Sequence, residues 1–333
     1  MAELHIVYVA EASPRFAQML RLACWSVRRR GGRAASVPIT VVFNERGDDA
    51  LSAELERDFG VKSIVRPRIS TALRFTNKWN CLEAELGGGA GEATPWMLFL
   101  DCDTAIVNPL DPLMDRLAVA SEKFFCSPEH TRQAWGLRRI LKRHTGRSDA
   151  ELDAIAHDWF PSDRLPIFNT GVFAIRREVM AGFRGEIVAM CNRLHSSMRA
   201  TTWNPVQFAL VQWNRRHWKK PDAAKWLVGP FFPRVHSGQL AVPATLLKLG
   251  IPFGLLPHAD NWRDPIILMG ESEPIRVLHY LGSRFPIDRS DLFNGSYFEK
   301  FAKSENPGWR ALVEVVSAYN AERGTGPVWR GGG

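Results

Sequence analysis

Two aspartates, Asp101 and Asp103, stand one residue apart directly after the apolar run "PWMLFL" (95–100). A continuous apolar run of this length predicts a strand that is buried on both faces, so the aspartates follow its carboxyl end. In open α/β sheets, ligands bind at that edge. Two carboxylates there can hold a hard divalent cation, which most often neutralises a phosphate or diphosphate. For an isolated pair, solvated turn aspartates are the plainer explanation.

A third residue, His279, strengthens the metal interpretation. The segment "IRVLHYLG" (275–282) predicts a strand with this histidine at or near its end. A neutral imidazole can complete a mixed oxygen and nitrogen shell, although a single strand histidine is more often part of the core. Taken together, Asp101, Asp103 and His279 predict a metal site, and the two carboxylates favour Mn²⁺ or Mg²⁺.

Strands and helices alternate along the part of the chain that must position these residues. The run "LHIVYVA" (4–10) predicts a first strand, and Ser13 and Pro14 predict the N-cap and first turn of a helix that ends at Gly31. The pattern continues with a strand, a helix, a strand and a helix at 37–44, 48–60, 61–67 and 76–89. This alternation predicts a parallel α/β sheet. Further strands are predicted at 123–128 and 167–175, and a last helix near the C-terminus.

Composition and charge restrict the class of protein. The hydrophobic fraction of 45% over 333 residues is that of an ordinary globular chain. Five scattered cysteines without a CxxC pair argue against both a disulfide framework and a zinc site, and a reducing cytoplasm fits best. The N-terminus has the character of a first strand and not of a signal peptide, and no apolar run is long enough to span a membrane. The net charge of +8 favours an anionic partner without identifying it.

The order of motifs resembles glycosyltransferase family 8, retaining enzymes of the GT-A fold that include glycogenin and bacterial lipopolysaccharide galactosyl- and glucosyltransferases. "LFLDCDTAIVNPL" is similar to the metal motif of that family, "FNTGVFAI" to its FNxGVxxI motif and "VLHYLGSRFP" to its HYxGxxKPW motif. "VYVAEAS" resembles the first strand and uracil-binding turn, "FTNKWN" the basic segment before the metal motif, and "LLPHADNW" a late LPxxxN element. The resemblance covers most of the chain. It implies an α/β protein with a Rossmann-like nucleotide-binding half and a central mixed, mostly parallel sheet flanked by helices.

The resemblance also implies an activity and a set of site residues. The enzyme would be a hexosyltransferase that moves a sugar with retention from a nucleotide donor, UDP-linked by analogy, to a carbohydrate or other hydroxyl acceptor. Asp101, Asp103 and His279 would bind the metal, which would bridge the donor's diphosphate. The other members of the donor site would be Ala10 and Glu11 by the base, Lys78 by the diphosphate or sugar, Cys102, Asn169 by the sugar, and Gly282 and Arg284 by the phosphates.

Gln207, in "WNPVQFAL", matches the glutamine of the family's Asp-Gln pair on the far face of the donor sugar. There it could stabilise an oxocarbenium-like centre. An amide is a poor nucleophile, so front-side substitution is favoured over a covalent intermediate. A buried polar contact within a helix is the structural alternative. The sequence departs from the family nearby, since Val206 replaces the aspartate and Asn204 is the nearest polar residue. In the last motif Phe285 stands where the family has lysine, with Arg284 one residue earlier.

The sequence also bears on four other functions. A haloacid dehalogenase-like phosphatase would need Thr or Val two residues beyond the second aspartate, but Thr104 follows it directly, and the later GDxxxD pair is missing. A sugar nucleotidyltransferase would need a glycine-rich loop after the first strand, and "VAEASPRF" has none. The tryptophans of 203–226 could instead line a carbohydrate-binding surface on an inactive scaffold. Nucleic-acid binding is disfavoured because no recognition module is present.

The boundaries expected from the resemblance are a single domain over 1–330, with a nucleotide-binding half (1–110), a donor and acceptor half (111–285) and a C-terminal helical segment (286–330). We expect the acceptor, a carbohydrate or a small or lipid-linked molecule, near 130–166 and the tryptophan-rich stretch. Residues 130–148 contain six Lys or Arg and no acid, and they predict an amphipathic basic helix. A solvated helix face is the simpler explanation. The alternative is that residues 132–147 contact an anionic membrane at the inner face of the cytoplasmic membrane.

Overall fold

A computed structural model describes residues 4–71, 73–87, 95–129, 137–159, 167–201, 237–262, 273–280 and 306–326. The chain forms two compact units. Unit 1 comprises Met1–Ser127, Gly171–Met180 and Gly254–Gly333, and unit 2 comprises Pro128–Thr170 and Ala181–Phe253. Among the residues named above, those outside the described ranges are Asn204, Val206, Gln207, Gly282, Arg284 and Phe285, together with residues 130–136 and the tryptophans of 203–226.

Nine strands are described, and seven of them form one sheet in the order β3-β2-β1-β4-β7-β6-β8. The strands are β1 (Leu4–Ala10), β2 (Ile39–Asn44), β3 (Val61–Arg66), β4 (Trp96–Leu100), β5 (Thr104–Ile106), β6 (Phe124–Glu129), β7 (Ile167–Arg176), β8 (Phe253–Leu255) and β9 (Val277–His279). The pairs β1–β2, β1–β4 and β2–β3 are parallel, whereas β4 and β7 are antiparallel. The predicted mixed, mostly parallel α/β sheet is therefore confirmed, with β4 near its centre.

Eight α-helices are described together with short 3₁₀ segments. The helices are α1 (Pro14–Arg30), α2 (Asp49–Phe59), α3 (Asp111–Val119), α4 (Leu137–Thr145), α5 (Asp149–Trp159), α6 (Arg177–Thr201), α7 (Ser237–Leu249) and α8 (Pro307–Arg323). The predicted start of α1 is confirmed, since the hydroxyl oxygen of Ser13 accepts a hydrogen bond from the amide of Phe16. Gly60 ends α2 in the left-handed conformation that glycine adopts at little cost.

The structure differs from the sequence expectations at several elements. The segment Arg74–Gly87 forms 3₁₀ turns where an α-helix was predicted. Helix α3 was not predicted. It begins at Asp111, and Pro112 lies in its first turn, where the missing N–H of proline costs nothing. Helix α7 was not predicted, and it contains Pro243, which ordinarily argues against a helix.

Buried apolar side chains hold the core of unit 1 on the faces of the central strands. Phe99 on β4 stacks on Phe173 of β7, with ring centroids 4.9 Å apart, and Phe124 stacks on Phe173 from the other side at 5.5 Å. Trp79, in the 3₁₀ segment, contacts the same ring at 5.5 Å. This aromatic group fixes the 3₁₀ segment against the strand that precedes the two aspartates.

Helix α8 packs in unit 1 against the helices that follow β1 and β2. Arg323 forms ion pairs with Glu54 and Asp58 of α2 at 3.1 and 2.5 Å. The indole of Trp25 on α1 donates a hydrogen bond to Glu322 at 3.0 Å. The C-terminal helix therefore belongs to the same compact unit as the first strands of the sheet.

Unit 2 is built from helices around its own apolar core. Its buried side chains include Leu141 on α4, Phe183 on α6 and Leu240 on α7. On its surface Glu186 forms ion pairs with Arg193 and with Lys248, the latter at 2.8 Å. Across the described ranges, no helix is both long enough and apolar enough to cross a bilayer.

Candidate metal and donor site

A tight turn after β4 presents the two aspartates. The amide of Asp101 donates to the carbonyl of Gly171 on β7 at 2.7 Å, which ties the end of β4 to its neighbour. The amide and the hydroxyl of Thr104 both donate to the carbonyl of Asp101, at 3.1 and 2.8 Å. This turn reverses the chain into β5. It leaves Asp101 and Asp103 partly exposed at the carboxyl end of a central strand, as the sequence predicted.

His279 reaches the aspartates through a second, two-stranded sheet. Strand β5 pairs antiparallel with β9, so that Thr104 lies opposite His279. The amide of Tyr280 donates to the carbonyl of Asp103 at 3.0 Å. Strand β5 is itself held by α1, because the amide of Ile106 donates to the hydroxyl of Ser26 at 2.9 Å. The turn after β4 therefore positions the two aspartates, and the pairing of β5 with β9 brings His279 beside them.

A strap formed by residues 258–262 supports the other edge of β9. The amide of His279 donates to the carbonyl of Trp262 at 2.9 Å, and the amide of Trp262 donates to the carbonyl of Val277 at 2.8 Å. The amide of Arg276 donates to the carbonyl of Ala259 at 2.8 Å. In addition, the guanidinium of Arg276 is buried against the carboxylate of Asp260. The strap therefore fixes the backbone that carries the histidine.

The three predicted metal ligands lie together. The candidate ligand atoms of Asp101, Asp103 and His279 are all within 4.8 Å of one another. The imidazole Nε2 of His279 is 3.2 Å from Oδ1 of Asp103 and 4.0 Å from Oδ2 of Asp101. The histidine is buried and the aspartates are partly exposed, so the group opens to solvent on the carboxylate side.

The residues fit a hard divalent cation. Two carboxylates and one imidazole nitrogen provide the oxygen-rich donor set that Mn²⁺ and Mg²⁺ accept. The Nδ1 atom of His279 is buried and has no hydrogen-bond partner among the described residues, whereas Nε2 faces the carboxylates. A proton on Nδ1 would leave Nε2 free to bind a metal.

Lys78 approaches the same cluster from the 3₁₀ segment. Its Nζ lies 3.1 and 3.2 Å from the two carboxylate oxygens of Asp101. It also stands 5.5 Å from the centroid of the Phe99 ring, within the range of a cation–π contact. The resemblance implied a position of Lys78 near the diphosphate or sugar of the donor. In this structure its ammonium contacts Asp101, which is one of the predicted metal ligands.

Cys102, between the two aspartates, faces the opposite side of the chain. Its thiol donates to the carbonyl of Val9 on β1 at 3.1 Å. Burial, together with the charges of Asp101 and Asp103, raises the pKa of the Cys102 thiol well above its usual value. The side chain is therefore a neutral thiol that packs under the turn, and it is not among the grouped metal-binding candidates.

A second polar group gathers where β1, β2 and β3 end. Glu11, predicted to lie by the base, accepts hydrogen bonds from Arg68 at 2.6 Å and from Asn44 at 3.3 Å. Asn80 donates to the side-chain oxygen of Asn44 at 2.8 Å and to the carbonyl of Pro67 at 2.9 Å. Asn44, Arg68 and Asn80 were not singled out from the sequence. A polar residue at the end of the apolar run "VPITVVFN" was the available signal for Asn44.

The remaining predicted site residues are placed in part. Ala10 is the buried last residue of β1, next to Glu11. Asn169 is buried on β7 and belongs to unit 2. The predicted roles of Gln207, Gly282 and Arg284 stay predictions, because these residues lie outside the described ranges.

Comparisons with known proteins support the fold. No protein-family model and no curated protein matches the sequence. A solved structure of the galactosyltransferase LgtC, in complex with donor and acceptor sugar analogs, is similar to this chain, with a TM-score of 0.50 and 15% sequence identity. The similarity covers 94% of this chain and 95% of the LgtC chain. The structure of mouse xyloside xylosyltransferase 1 is also similar, with a TM-score of 0.45 and 14% identity over 86% of this chain and 99% of its own. So is the glycosyltransferase GlyE of Streptococcus pneumoniae TIGR4, with a TM-score of 0.48 and 9% identity over 98% of this chain and 66% of its own.

The resemblance predicted from the sequence is therefore confirmed at the level of architecture. The mixed sheet, its flanking helices and the similarity to LgtC over nearly the full length of both chains agree with that prediction. The chain has the GT-A glycosyltransferase fold.

Proposed function

We propose that the protein is a metal-dependent, retaining glycosyltransferase that transfers a hexose from a nucleotide-sugar donor to a hydroxyl acceptor. One observation carries the proposal: Asp101, Asp103 and His279 converge within 4.8 Å at the carboxyl end of a central strand in a GT-A fold. That edge is where open α/β sheets bind their ligands.

Asp101, Asp103 and His279 would hold a divalent ion, Mn²⁺ or Mg²⁺. When bound, such an ion neutralises the negative charge that builds on the β-phosphate as the nucleoside diphosphate departs. Lys78 would add a positive charge to the same phosphate or orient the donor sugar. The backbone of Gly282 and the side chain of Arg284 would contact the phosphates as well.

The first half of the chain would bind the nucleotide. Ala10 and Glu11 lie at the carboxyl end of β1, and the carboxylate of Glu11 can accept a hydrogen bond from the N–H of a base. Uracil is the base implied by the sequence resemblance. Arg68 and Asn44 contact Glu11 and would orient its carboxylate toward the base.

Gln207 and Asn169 would act on the donor sugar. Gln207 would stabilise positive charge at the anomeric carbon while the acceptor attacks from the face that the leaving group vacates, which gives retention. Because an amide is a weak nucleophile, substitution on one face is preferred over a covalent intermediate. Asn169 would hydrogen-bond to sugar hydroxyls.

Unit 2 would bind the acceptor, a carbohydrate or a small or lipid-linked molecule. His144 lies near the charges of Arg143, Arg193 and Lys248, and burial and these charges lower its pKa. This basic surrounding supports an anionic acceptor or a peripheral contact of residues 132–147 with an anionic membrane at the cytoplasmic face.

The test is calorimetric binding of UDP, GDP and their sugars to the purified protein with Mn²⁺, with Mg²⁺ and with chelator. We expect one nucleotide to bind in a metal-dependent way. Asp103→Asn and His279→Ala should each abolish that metal dependence while circular dichroism and the unfolding temperature stay near those of the wild type. Thr104→Ser, which keeps the hydroxyl of the turn, is the matched control.

Other outcomes would point to other functions. Unchanged metal-dependent affinity in either variant would remove that residue from the metal shell. Binding of sugars without binding of any nucleotide would indicate an inactive carbohydrate-binding scaffold. Release of inorganic phosphate from a sugar phosphate, with no transfer of the sugar, would indicate a haloacid dehalogenase-like phosphatase.

A further inference from the structure

The ammonium of Lys78 already occupies one of the carboxylates that a metal would need. Both oxygens of Asp101 are within 3.2 Å of Nζ of Lys78. The same carboxylate belongs to the group of three candidate metal ligands. Lys78 and Asp101 are both largely shielded, with 17% and 27% of their side chains exposed, so solvent weakens this attraction less than it would on the surface.

A metal and Lys78 compete for Asp101 in this arrangement, since Nζ of Lys78 contacts both of its carboxylate oxygens. A divalent ion on the carboxylate would meet a positive charge within a few ångströms, and like charges at that distance repel each other strongly at partly shielded sites. One of the two cations has to move. The metal must stay with its other ligands, whereas the ammonium stands on a flexible four-carbon stem.

The backbone around Lys78 is fixed, so the side chain is the part that can turn. Asn77 is buried, and its side chain exchanges two hydrogen bonds with the backbone of Ser70 at 2.9 and 3.0 Å. Trp79 is fully buried against Phe173. Asn80 is held by the carbonyl of Pro67 at 2.9 Å. The segment therefore delivers the ammonium to one small region and leaves only its stem adjustable.

We infer that Lys78 is the internal counterion of the metal-free site and couples the binding of metal to the binding of an anionic ligand. Without metal, Lys78 neutralises Asp101. When a divalent ion takes Asp101, Lys78 is released to the phosphates of a nucleotide. An anionic ligand that attracts Lys78 in turn frees Asp101 for the metal. Linkage requires the two effects to be equal.

This inference rests on the proposed function, and it predicts effects of opposite sign for one substitution. Lys78→Met removes the competitor, so Mn²⁺ alone should bind roughly tenfold more tightly than it does to the wild type. The same variant should bind UDP in the presence of Mn²⁺ roughly tenfold more weakly. In the metal-free wild type, UDP must draw Lys78 away from Asp101, so the affinity of the metal-free protein for UDP should change little. The factor by which Mn²⁺ raises the affinity for UDP should therefore fall about tenfold.

The experiment measures Mn²⁺ binding to nucleotide-free protein by the electron paramagnetic resonance signal of free Mn²⁺. Binding of UDP and GDP is measured by calorimetry with and without metal. Lys62→Met is the matched control, because it removes the same charge from the amino-terminal end of β3, away from the carboxyl edge of the sheet. Lys78→Arg keeps a cation beside Asp101 and should therefore retain the weaker Mn²⁺ affinity of the wild type. If Lys78→Met folds poorly, the Mn²⁺ affinity of Lys78→Arg provides the test.

The outcomes separate this inference from the function on which it rests. If Lys78→Met binds Mn²⁺ alone as weakly as the wild type, or more weakly, Lys78 orients Asp101 and does not compete, and the inference is wrong although the proposed function stands. If the wild type binds neither Mn²⁺ nor any nucleotide, the proposed function fails and the inference fails with it.

Discussion

The ion pair between Arg276 and Asp260 offers a sharp test of how the strap supports the site. Asp260 has no exposed side-chain surface and Arg276 has 5%, so both charges are shielded from water. Removing one member of a buried pair costs about 3–5 kcal/mol, because the other charge is left without a partner. The guanidinium also contacts Glu273 at 2.6 Å. The carboxylate depends more heavily on its partner, since its Oδ2 has no hydrogen-bond partner among the described residues.

The perturbation is therefore Arg276→Met, which keeps the length of the stem and removes the charge. Burial raises the pKa of Asp260, while the hydrogen bond and charge of Arg276 oppose that rise. Arg116 also lowers this pKa and Glu273 raises it. Without Arg276 the carboxyl would become protonated on folding. Since one pKa unit is about 1.36 kcal/mol, protonating a carboxyl of ordinary pKa 3.8 costs about 4.4 kcal/mol at pH 7 and about 1.6 kcal/mol at pH 5.

The sign of the pH dependence follows from this raised pKa. When the pKa of a carboxyl is higher in the folded state than in the unfolded state, the free energy of unfolding of the protein falls as the pH rises above the ordinary pKa, here 3.8. The deficit of Arg276→Met relative to the wild type should therefore be about 3–4 kcal/mol at pH 7 and should shrink by up to about 2.7 kcal/mol at pH 5. Taking the difference from the wild type cancels the titration of the other carboxylates.

The assay is urea unfolding followed by tryptophan fluorescence at pH 5, 6 and 7. Asp260→Leu combined with Arg276→Met should be more stable than Arg276→Met alone, because it leaves no charge unpaired. Arg29→Met is the control, since the Arg29 and Glu322 side chains are 56% and 40% exposed and such a pair contributes at most about 1 kcal/mol. A deficit below 1 kcal/mol at pH 7, or one that does not change with pH, would refute the reasoning.

Two further changes address neighbouring parts of the molecule. Gly308→Ala should destabilise the protein by about 1–3 kcal/mol in thermal unfolding, because a Cβ at position 308 would lie 2.0 Å from the ring of Trp262, and an unchanged unfolding temperature would contradict this packing. Replacing Arg138, Arg139 and Lys142 with Gln should weaken sedimentation with vesicles of phosphatidylglycerol and phosphatidylcholine about a hundredfold, because three basic residues at about 1 kcal/mol each contribute about 3 kcal/mol. Equal binding of the variant and the wild type would rule out a membrane role for this helix.

The sequence predicted the elements that have a clear period or cap. Strand β1, the capped helix α1 and the apolar strand β4 all carry local signals, and each lies where it was expected. The position of the two aspartates followed directly, since it needs only the end of one strand. These features depend on neighbours along the chain, and neighbours along the chain are what a sequence displays.

The short elements could not be predicted in the same way. Strand β5 has three residues and β9 has three, too few to show an alternation. The pairing of Thr104 with His279 joins positions far apart in the chain, and no local pattern encodes it. The sequence grouped His279 with the aspartates only because each follows or ends a predicted strand and because the resemblance to known glycosyltransferases implied the same three ligands. The partners of Glu11 were missed for the same reason, because Arg68 reaches it across the ends of neighbouring strands.

The site therefore has two parts that are held by different kinds of contact. The turn at Asp101 forms from contacts within a few residues, together with one bond to β7. His279 depends on β5, on the strap and, through Trp262, on the close approach of α8 at Gly308. Perturbing the strap or α8 should therefore reduce metal affinity through the histidine while Lys78 still holds Asp101. Metal affinity should fall before the fold is lost, because a shift of the strand that carries His279 changes the ligand geometry before it breaks the sheet.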